Sequence, residues 1–457
     1  MWLTEQLARS WSGLSYSELP SSVVGKCKEH LLDTLAVAIA GASTQEARRA
    51  AAALAGPGGD GHTGATVWGT DLRLAPSHAA LANGTAAHAR DFDDTGGVDH
   101  SGAVVIPAVL AAAQASAGDG PAVIAATVAG YDVGYRILLA LGGYGVHNGR
   151  GWHSTGTAGT FAAAAGASKC LGLGTEQFGH ALGIAGSFAG GVWAFLADSA
   201  MTKRLHAGKA AQTGLEAALL ARAEFTGPGQ IMEAEWGGFY ATYNGGVSDP
   251  RAALDNLGRE FLISNAGIKP YACCRAIHSA IDAMLALIDQ RRLAAEDITR
   301  LLIHASRQSI NMVSVHPVTS VFSAQFSMPY ALAVAACSGS AGLDQFDPPR
   351  TADPRVGEFM SRTSMILDPA IPSGDGPRLD VTLSTGEQLT LPTRRLNDAK
   401  GAPGNPLSHD EVVTKAISLI KPRLGAATAT RIVRCIDELD TLSDISQLTS
   451  MLTCSPN

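Results

Sequence analysis

Residues 83–106 read NGTAAHARDFDDTGGVDHSGAVVI, and they bring Asp91, Asp93, Asp94 and His100 within ten positions of one another. Segments of small apolar residues flank this acidic cluster on both sides. Clustered carboxylates cost desolvation and mutual repulsion unless they hold protons, cations or a substrate. The stretch is therefore predicted to be the chemical centre of the chain.

Two other interpretations of these aspartates remain open. They could form a solvated helix end in which Arg90 and Asp94 pair four residues apart, because charge runs are usually exposed. Aspartate-rich segments of helical proteins also hold magnesium for a diphosphate substrate. A second metal-binding segment is not evident, and Gly96, Gly97 and His100 follow instead of a further regular acid, so this motif is weak.

Composition sets the class of protein. With 457 residues, 46% of them hydrophobic and 16% charged, the chain can bury a large core in two or three domains. The net charge is −7 and the basic residues are scattered, which argues against a nucleic-acid partner. Neither a Walker A sequence nor a convincing dinucleotide-binding glycine pattern is present.

The same composition predicts a reduced, cytoplasmic protein without a membrane partner. The seven cysteines lack CxxC spacing, and the adjacent pair Cys273 and Cys274 is unsuited to an ordinary disulfide. The N-terminal residues include Glu5 and Arg9 and lack a long apolar run, which argues against a secretory signal. Uncharged runs such as 181–197 are rich in Gly, Ala and Ser and resemble buried helices.

Hydrophobic periodicity predicts a mainly α fold. From residue 20 to about 260, apolar residues recur three and four apart among many Ala and Gly residues, which is typical of closely packed helices. After Lys269, helices near 273–292 and 327–336 alternate with strands TRLLIHA, SMILDPAI and a hairpin through Gly386. We therefore expect a helical domain (1–266), an inserted α+β lid domain (267–394) and C-terminal helices (395–457) that return to the first domain. The cleft between domains is the expected ligand site.

Polar residues precede four predicted helices, at 99–102, 152–156, 202–206 and 269–271. Because a helix start presents unpaired N–H groups and a partial positive charge, converging starts would form an anion pocket. The histidines and cations near these predicted helix starts could instead have purely structural roles. His100, His153 and His278 could be capping or core histidines, and Lys203 and Arg204 could be surface charges.

Five motifs resemble the MmgE/PrpD family: NGTAAHARDFDDT, GRGWHSTGTAGTF, AMTKRLHAGKAAQTG, FTGP and KPYACCRAIHSAID. They occur in order over nearly the whole chain. The family includes 2-methylcitrate dehydratase, cis-aconitate decarboxylase and iminodisuccinate epimerase. The resemblance implies a helical domain built from both chain ends, a smaller α+β lid, a homodimer, and activity without a metal or organic cofactor.

The resemblance also implies a site between the domains. Its catalytic residues would be Asp93, His100, His153 and Lys203. It would also draw on Lys269 and Tyr330. The predicted substrate-binding residues are these two together with Thr95, Ser101, Cys274, Arg275 and His278. The chain departs from the decarboxylase branch at Cys274, where that branch places a histidine five residues after the lysine.

Family substrates carry two or three carboxylates and an acidic C–H beside one of them. Removing that proton requires a base and localised positive charge, so His100 or His153 would be the base and the other the acid, with Asp93 orienting a histidine. Dehydration of a 2-methylcitrate type is the favoured reaction. The alternatives are iminodisuccinate-type epimerisation, cis-aconitate-type decarboxylation, and a non-catalytic helical protein that binds carboxylates.

Overall fold

In the computed structural model, residues 1–55, 64–245, 248–392 and 394–454 are described, and the chain divides into two compact units. The first unit comprises residues 1–89, 93–266 and those from 408 onward. The second comprises residues 90–92 and 267–407. Residues 395–407, which were expected to belong with the C-terminal helices, thus lie in the second unit.

Helices dominate the first unit, which confirms the mainly α prediction. Up to residue 266 its helices are α1 (Leu3–Gly13), α2 (Ser21–Gly41), α3 (Gln45–Ala55), α4 (Pro76–His88), α5 (Ser101–Ser116), α6 (Gly120–Ala140), α7 (Gly143–Gly149), α8 (Ala158–Cys170), α9 (Thr175–Phe188), α10 (Thr202–Arg222) and α11 (Phe239–Asn244). Three two-residue strands interrupt them: β1 (Ala65–Thr66), β2 (Arg73–Leu74) and β3 (Asp94–Thr95). The strands β1 and β2 pair antiparallel, so the unit is not entirely helical.

Small residues allow the central helices to approach one another closely. A Cβ added at Gly84 of α4 would lie 2.8 Å from the Cα of Gly208 in α10, and one added at Gly214 of α10 would lie 2.4 Å from Ala163 in α8. Both distances are too short for a side chain, which is why these positions hold glycine. The contact between α4 and α10 brings the end of α4 near the start of α10, and both ends carry site residues.

Helix α6 is long and apolar enough to cross a membrane by composition alone. However, 83% of its most apolar window is buried inside the protein. It also carries the buried pair Asp132 and Arg136, with 2.6 Å between Oδ2 and Nε. These features are typical of a central core helix.

The second unit contains the predicted α+β segment. Its elements are β4 (Gly267–Ile268), α12 (His278–Arg291), β5 (Ile298–Ala305), α13 (Arg307–Val313), α14 (Val321–Gln325), α15 (Met328–Ser338), α16 (Pro348–Thr351), α17 (Pro354–Ser361), β6 (Thr363–Leu367), β7 (Arg378–Leu383) and β8 (Gln388–Leu391). Four strands form one sheet in the order β6-β5-β7-β8. Strand β6 runs parallel to β5, and the other pairs are antiparallel.

Most local predictions for this unit are confirmed, including the strand TRLLIHA and the hairpin, whose turn contains Gly386 at φ 84°. The segment SMILDPAI forms a strand only as far as Leu367. The helix predicted from 273 was placed too early, since α12 begins at His278. A short 3-10 turn, Arg275–Ile277, precedes it. Lys269 and Tyr271 therefore do not directly precede a helix start.

The C-terminal helices are α18 (His409–Leu424), α19 (Ala426–Asp437) and α20 (Ser446–Thr449). Helix α18 packs on α2 within the first unit. A buried ion pair joins the two helices, with Lys415 Nζ 2.7 Å from Asp33 Oδ1. This pairing matters because an unpaired charge buried at either position would be strongly destabilising.

Candidate active site

The aspartates between α4 and α5 are buried. Asp93 and Asp94 are both 0% exposed, so the interpretation as a solvated helix end is wrong. The i,i+4 pair with Asp94 is also not formed, because the carboxylate partner of Arg90 is Asp347. Burial of ionisable groups away from bulk water requires specific partners, and each aspartate has a different set.

Asp93 lies between two imidazoles. Its Oδ2 is 3.0 Å from His88 Nδ1 and 2.9 Å from His100 Nδ1. Burial favours the neutral carboxyl, but the two imidazoles outweigh that effect and hold the pKa of Asp93 well below its usual range. Asp93 is therefore a carboxylate that holds the His88 ring by hydrogen bonds and contacts the His100 ring.

Lys203 extends this arrangement on the opposite side of His88. The Lys203 Nζ lies 2.8 Å from His88 Nε2. Because an ammonium group only donates, Nε2 accepts, and Nδ1–H donates to Asp93. Burial first, and then the charge of Lys203 and the His100 ring, hold the pKa of His88 well below its ordinary value despite the opposing effect of Asp93. A neutral His88 thus joins a cation to a carboxylate.

The partners of Asp94 support the local fold and are not residues of the predicted site. It accepts hydrogen bonds from the backbone N of Gly102 at 3.0 Å and from the Tyr131 hydroxyl at 2.6 Å, and His30 Nδ1 lies 3.3 Å away. Gly102 belongs to the first turn of α5, which follows its N-cap residue His100. The oxygens of Asp93 and Asp94 thus face different protein groups, and the magnesium site considered from the sequence stays a hypothesis.

The turn before α5 holds the side chain of Ser101, a predicted substrate-binding residue. Ser101 Oγ accepts a hydrogen bond from the backbone N of Val98 at 3.1 Å. Gly97 has φ 59°, and a Cβ there would lie 2.3 Å from Ser101 Oγ. A side chain at Gly97 would therefore displace this hydroxyl. Thr95 is buried in β3.

His153 lies in a loop tied to the same turn. The Ser154 and Thr155 hydroxyls donate to the carbonyl of Val98 at 3.2 and 3.3 Å. This anchoring places the His153 ring centroid 6.3 Å from that of His100. The sequence-predicted His100, His153, Asp93 and Lys203 are thereby brought together in one buried cluster.

His153 combines burial with one uncommitted ring nitrogen. Its Nδ1 lies 2.9 Å from Nδ1 of His206, while Nε2 has no hydrogen-bond partner among the residues the structure describes. Burial, followed by the charge of Lys203, holds the pKa of His153 well below its ordinary value. The same two causes lower the pKa of His206 to about 4. Both rings are neutral at physiological pH.

The remaining predicted ligands belong to the second unit. Lys269 Nζ lies 2.6 Å from Asp91 Oδ1 in a fully buried ion pair. His278 Nε2 donates to the carbonyl of Cys273 at 3.2 Å, and burial together with Lys269 lowers its pKa to about 3. The Tyr330 hydroxyl donates to the carbonyl of Gln345 at 2.5 Å. The roles of these residues in binding remain predictions.

Two further predicted substrate-binding residues, Cys274 and Arg275, lie at the 3-10 turn before α12. Cys274 is buried and is the N-cap of the turn, and its backbone N donates to the carbonyl of Gln325 at 3.0 Å. Arg275 begins the turn and is partly exposed. Their proposed contacts with substrate also remain predictions.

Sequence reasoning missed His88 and His206. His88 contacts both Asp93 and Lys203, and His206 contacts His153. A usable signal existed for His88, which precedes Asp93 by five residues within the acidic motif and ends α4. For His206, its position one helical turn after Lys203 was the corresponding clue, because residues three apart share a helix face.

The cluster contains a carboxylate between two histidines, a neutral histidine with an open nitrogen and a buried ammonium group. Groups of these kinds can transfer protons and stabilise an anion. The class is a mainly helical protein with a buried cluster of such groups. The chain belongs to the MmgE/PrpD family, because residues 5–250 match the MmgE/PrpD N-terminal domain and residues 271–441 match the C-terminal domain. This finding confirms the family resemblance.

Curated relatives align over nearly the full chain. The chain is 28% identical to a cis-aconitate decarboxylase-like protein, oryM, of Aspergillus oryzae, over 99% of this chain and 97% of the relative. It is 28% identical to the cis-aconitate decarboxylase of Homo sapiens, over 98% and 94%. It is 27% identical to the cis-aconitate decarboxylase of Aspergillus terreus, over 99% and 96%. The relatives are thus lyases of this family.

Proposed function

We propose that the protein is a lyase that acts on a small di- or tricarboxylate by moving a proton next to a carboxylate. The observation that carries this proposal is the buried cluster in which His153 Nε2 is open while Lys203 is held through His88 to Asp93. A neutral imidazole beside a fixed cation supplies both requirements of the reaction, a base and a counter-charge for the carbanion.

His153 is the proposed base. In the tautomer whose Nδ1–H donates to His206, Nε2 carries the lone pair that accepts the substrate proton. His100 is the proposed acid, because the carboxylate of Asp93 at its Nδ1 stabilises the protonated ring. Removal of the proton by His153 leaves a carbanion, and a β-hydroxyl departs as water with a proton from His100.

Lys203 is the proposed partner of the substrate carboxylate beside the reacting carbon. It is almost fully buried, and its charge is therefore screened less than a surface charge would be. We propose that Lys269, Arg275, His278, Cys274 and Tyr330 of the second unit, with Thr95 and Ser101, complete substrate binding. Activity requires neither a metal nor an organic cofactor in this proposal, and the protein acts as a homodimer.

Dehydration of a 2-methylcitrate type is the first candidate reaction. It is favoured by Cys274, which stands where the decarboxylase branch of the family carries a histidine. Decarboxylation of a cis-aconitate type is the second candidate, favoured by the names of the aligned relatives. Epimerisation of an iminodisuccinate type would use the same first step, followed by reprotonation on the opposite face.

Proton NMR of the protein incubated with a panel of di- and tricarboxylates in D2O tests the proposal. Dehydration gives an alkene, decarboxylation gives a product one carbon shorter, and epimerisation gives α-deuterium exchange without loss of water. Any of these outcomes, at full rate in excess EDTA, supports cofactor-independent proton transfer. Loss of turnover in EDTA with rescue by a divalent ion would overturn it.

Replacement of His153 tests whether the protein is an enzyme or only binds carboxylates. His153→Ala should lower turnover by at least about 10², because proton transfer by a positioned group is worth about 10²–10⁴. His409→Ala is the control, since His409 has a half-exposed side chain. A change below about threefold in His153→Ala would contradict the assignment. A rise in melting temperature with carboxylates that are never converted would instead identify a binding protein.

A further inference from the structure

Asp99, His100 and His153 present a set of donor atoms that the proposed reaction does not explain. Each offers one ligand atom, and the three atoms lie within 4.8 Å of one another. Asp99 Oδ2 is 3.4 Å from His100 Nε2. Donors on a tetrahedral zinc ion at bond lengths of about 2.0–2.1 Å lie about 3.3 Å apart, so the pair already has a suitable separation.

Both imidazoles have a polar group close to the second ring nitrogen. His100 Nδ1 lies 2.9 Å from the Asp93 carboxylate, and His153 Nδ1 lies 2.9 Å from His206. A hydrogen bond at the second nitrogen of a metal-binding histidine commonly fixes the tautomer and directs the other nitrogen to the metal. His153 makes such a bond, whereas the short contact of His100 with Asp93 lacks hydrogen-bond geometry. The Nε2 of His153 is buried and has no hydrogen-bond partner among the described residues.

We propose that Asp99, His100 and His153 bind a divalent transition-metal ion such as Zn²⁺, and that the bound ion inhibits the enzyme. Two imidazoles and one carboxylate are typical zinc ligands and leave a fourth position for water. The inhibitory part rests on the proposed function, since the metal takes the lone pair of His153 Nε2 and the Nε2 position of His100 that proton transfer requires. Inhibition is therefore reversible by chelation.

The charges near the three ligands are mixed. Asp99 contributes a carboxylate directly, and Asp93 contributes another behind His100. The ammonium group of Lys203 opposes a cation, because its charge already acts on His153. The two carboxylates and the one ammonium group give these ligands a net negative charge around them. That charge favours binding of a dication. The Asp99 side chain is 14% exposed and gives the ion access from solvent.

Asp99→Asn is the most informative variant because Asp99 is outside the proposed acid–base set. Its backbone has φ 88°, and asparagine is among the residues that tolerate positive φ. Isothermal titration of Zn²⁺ into the full chain, in a buffer that does not coordinate metal, should give one site. Asp99→Asn should weaken that site at least tenfold. His409→Ala removes an exposed histidine near Asp437 and should leave the affinity unchanged.

A Co²⁺ absorption spectrum provides a second measurement that does not depend on turnover. The wild type should show intense visible bands of tetrahedral Co²⁺, and His153→Gln should lose them. Absence of a Zn²⁺ site, or equal Zn²⁺ affinity in wild type, Asp99→Asn and His153→Gln, would overturn the proposal. If Asp99→Asn fails to fold, as judged by its circular dichroism melt, His153→Gln decides the outcome.

Turnover assays then test inhibition separately. Zn²⁺ should inhibit the wild type and EDTA should restore its turnover, while the turnover that Asp99→Asn retains should need at least tenfold more Zn²⁺ for the same fractional inhibition. If no carboxylate is converted, the proposed function fails, yet the titration and the Co²⁺ spectrum still decide on the metal site. Zn²⁺ binding without inhibition of a working enzyme would overturn the inhibitory part.

Discussion

Lys203 Nζ lies 2.8 Å from His88 Nε2, and the opposite nitrogen of that ring lies 3.0 Å from the carboxylate of Asp93. Lys203 is the second residue of α10, where the helix dipole disfavours a cation. A buried ammonium at a helix start is therefore doubly costly, and His88 offsets part of that cost by accepting a hydrogen bond from it. Such an arrangement is better explained by a requirement for positive charge than by packing.

Lys203→Met should lower turnover by at least about 10², because the carbanion loses its counter-charge. It should also move the acidic limb of the pH profile upward. The charge of Lys203 contributes to the low pKa of His153, so removing that charge raises the pKa of the proposed base and protonates it at higher pH. The pH dependence of kcat/KM measures both effects.

Lys209→Met is the matched control for Lys203→Met, since Lys209 is exposed on the same helix. It should leave both turnover and the pH profile unchanged. An acidic limb that stays in place in Lys203→Met would contradict the electrostatic link between Lys203 and His153.

His88→Gln should lower turnover by about 10², the scale expected when a supporting contact is lost and reactive groups shift by about 1 Å. His88 does not have to touch substrate for this effect, because it holds both Lys203 and Asp93. The loss should fall mainly on kcat. His78→Gln, on the same helix α4 and only partly buried, is the control. A wild-type kcat in His88→Gln would show that His88 is only a packing residue.

Tyr131→Phe tests how far the hydrogen bond from Tyr131 to Asp94 stabilises the protein. Asp94 in turn accepts a hydrogen bond from Gly102 at the start of α5. The Tyr131 hydroxyl donates to Asp94 at 2.6 Å, and its loss leaves a buried carboxylate short of one donor, at a cost of about 1–3 kcal/mol in the free energy of unfolding. Urea unfolding measures this cost. Tyr243→Phe also loses one hydrogen bond, to the carbonyl of Ala189, and should cost only about 1 kcal/mol. Equal costs would mean that Asp94 does not depend on Tyr131.

Local structure was largely predictable because it depends on short-range patterns. The strand around Ile303, the hairpin through Gly386 and the start of α5 after His100 all follow from periodicity and turn residues. The start of α12 was misplaced at the Cys273 pair, where apolar residues continue the helical pattern but the chain first forms a 3-10 turn. Periodicity alone does not distinguish these two conformations.

The partners of individual site residues were less predictable, because long-range packing selects them. Asp93 and Asp94 are neighbours in sequence, yet Asp93 contacts two site imidazoles while Asp94 holds Tyr131 and the start of α5. Nothing in the motif distinguishes their roles. The contact of His206 with His153 is not predictable from the sequence for the same reason, since it depends on a loop more than fifty residues earlier.

Stability should fall in mild acid because several histidines are buried in the neutral form. His147 is fully buried, with Nε2 2.7 Å from the Thr157 hydroxyl, and burial lowers its pKa to about 4. The unfolded chain binds a proton near pH 6.5, whereas the folded chain does so only near pH 4. Stability from this group is therefore complete above pH 6.5 and is lost as the pH falls toward 4.

Between pH 7 and pH 5 the contribution of His147 should fall by about 2 kcal/mol. Urea unfolding at the two pH values measures it: His147→Gln should lose less stability on acidification than the wild type by that amount, although it is less stable at pH 7. His409→Gln should behave as wild type because its side chain is half exposed. An equal loss in His147→Gln and the wild type would mean that His147 is protonated in the folded state at pH 5, contrary to its burial beside Thr157.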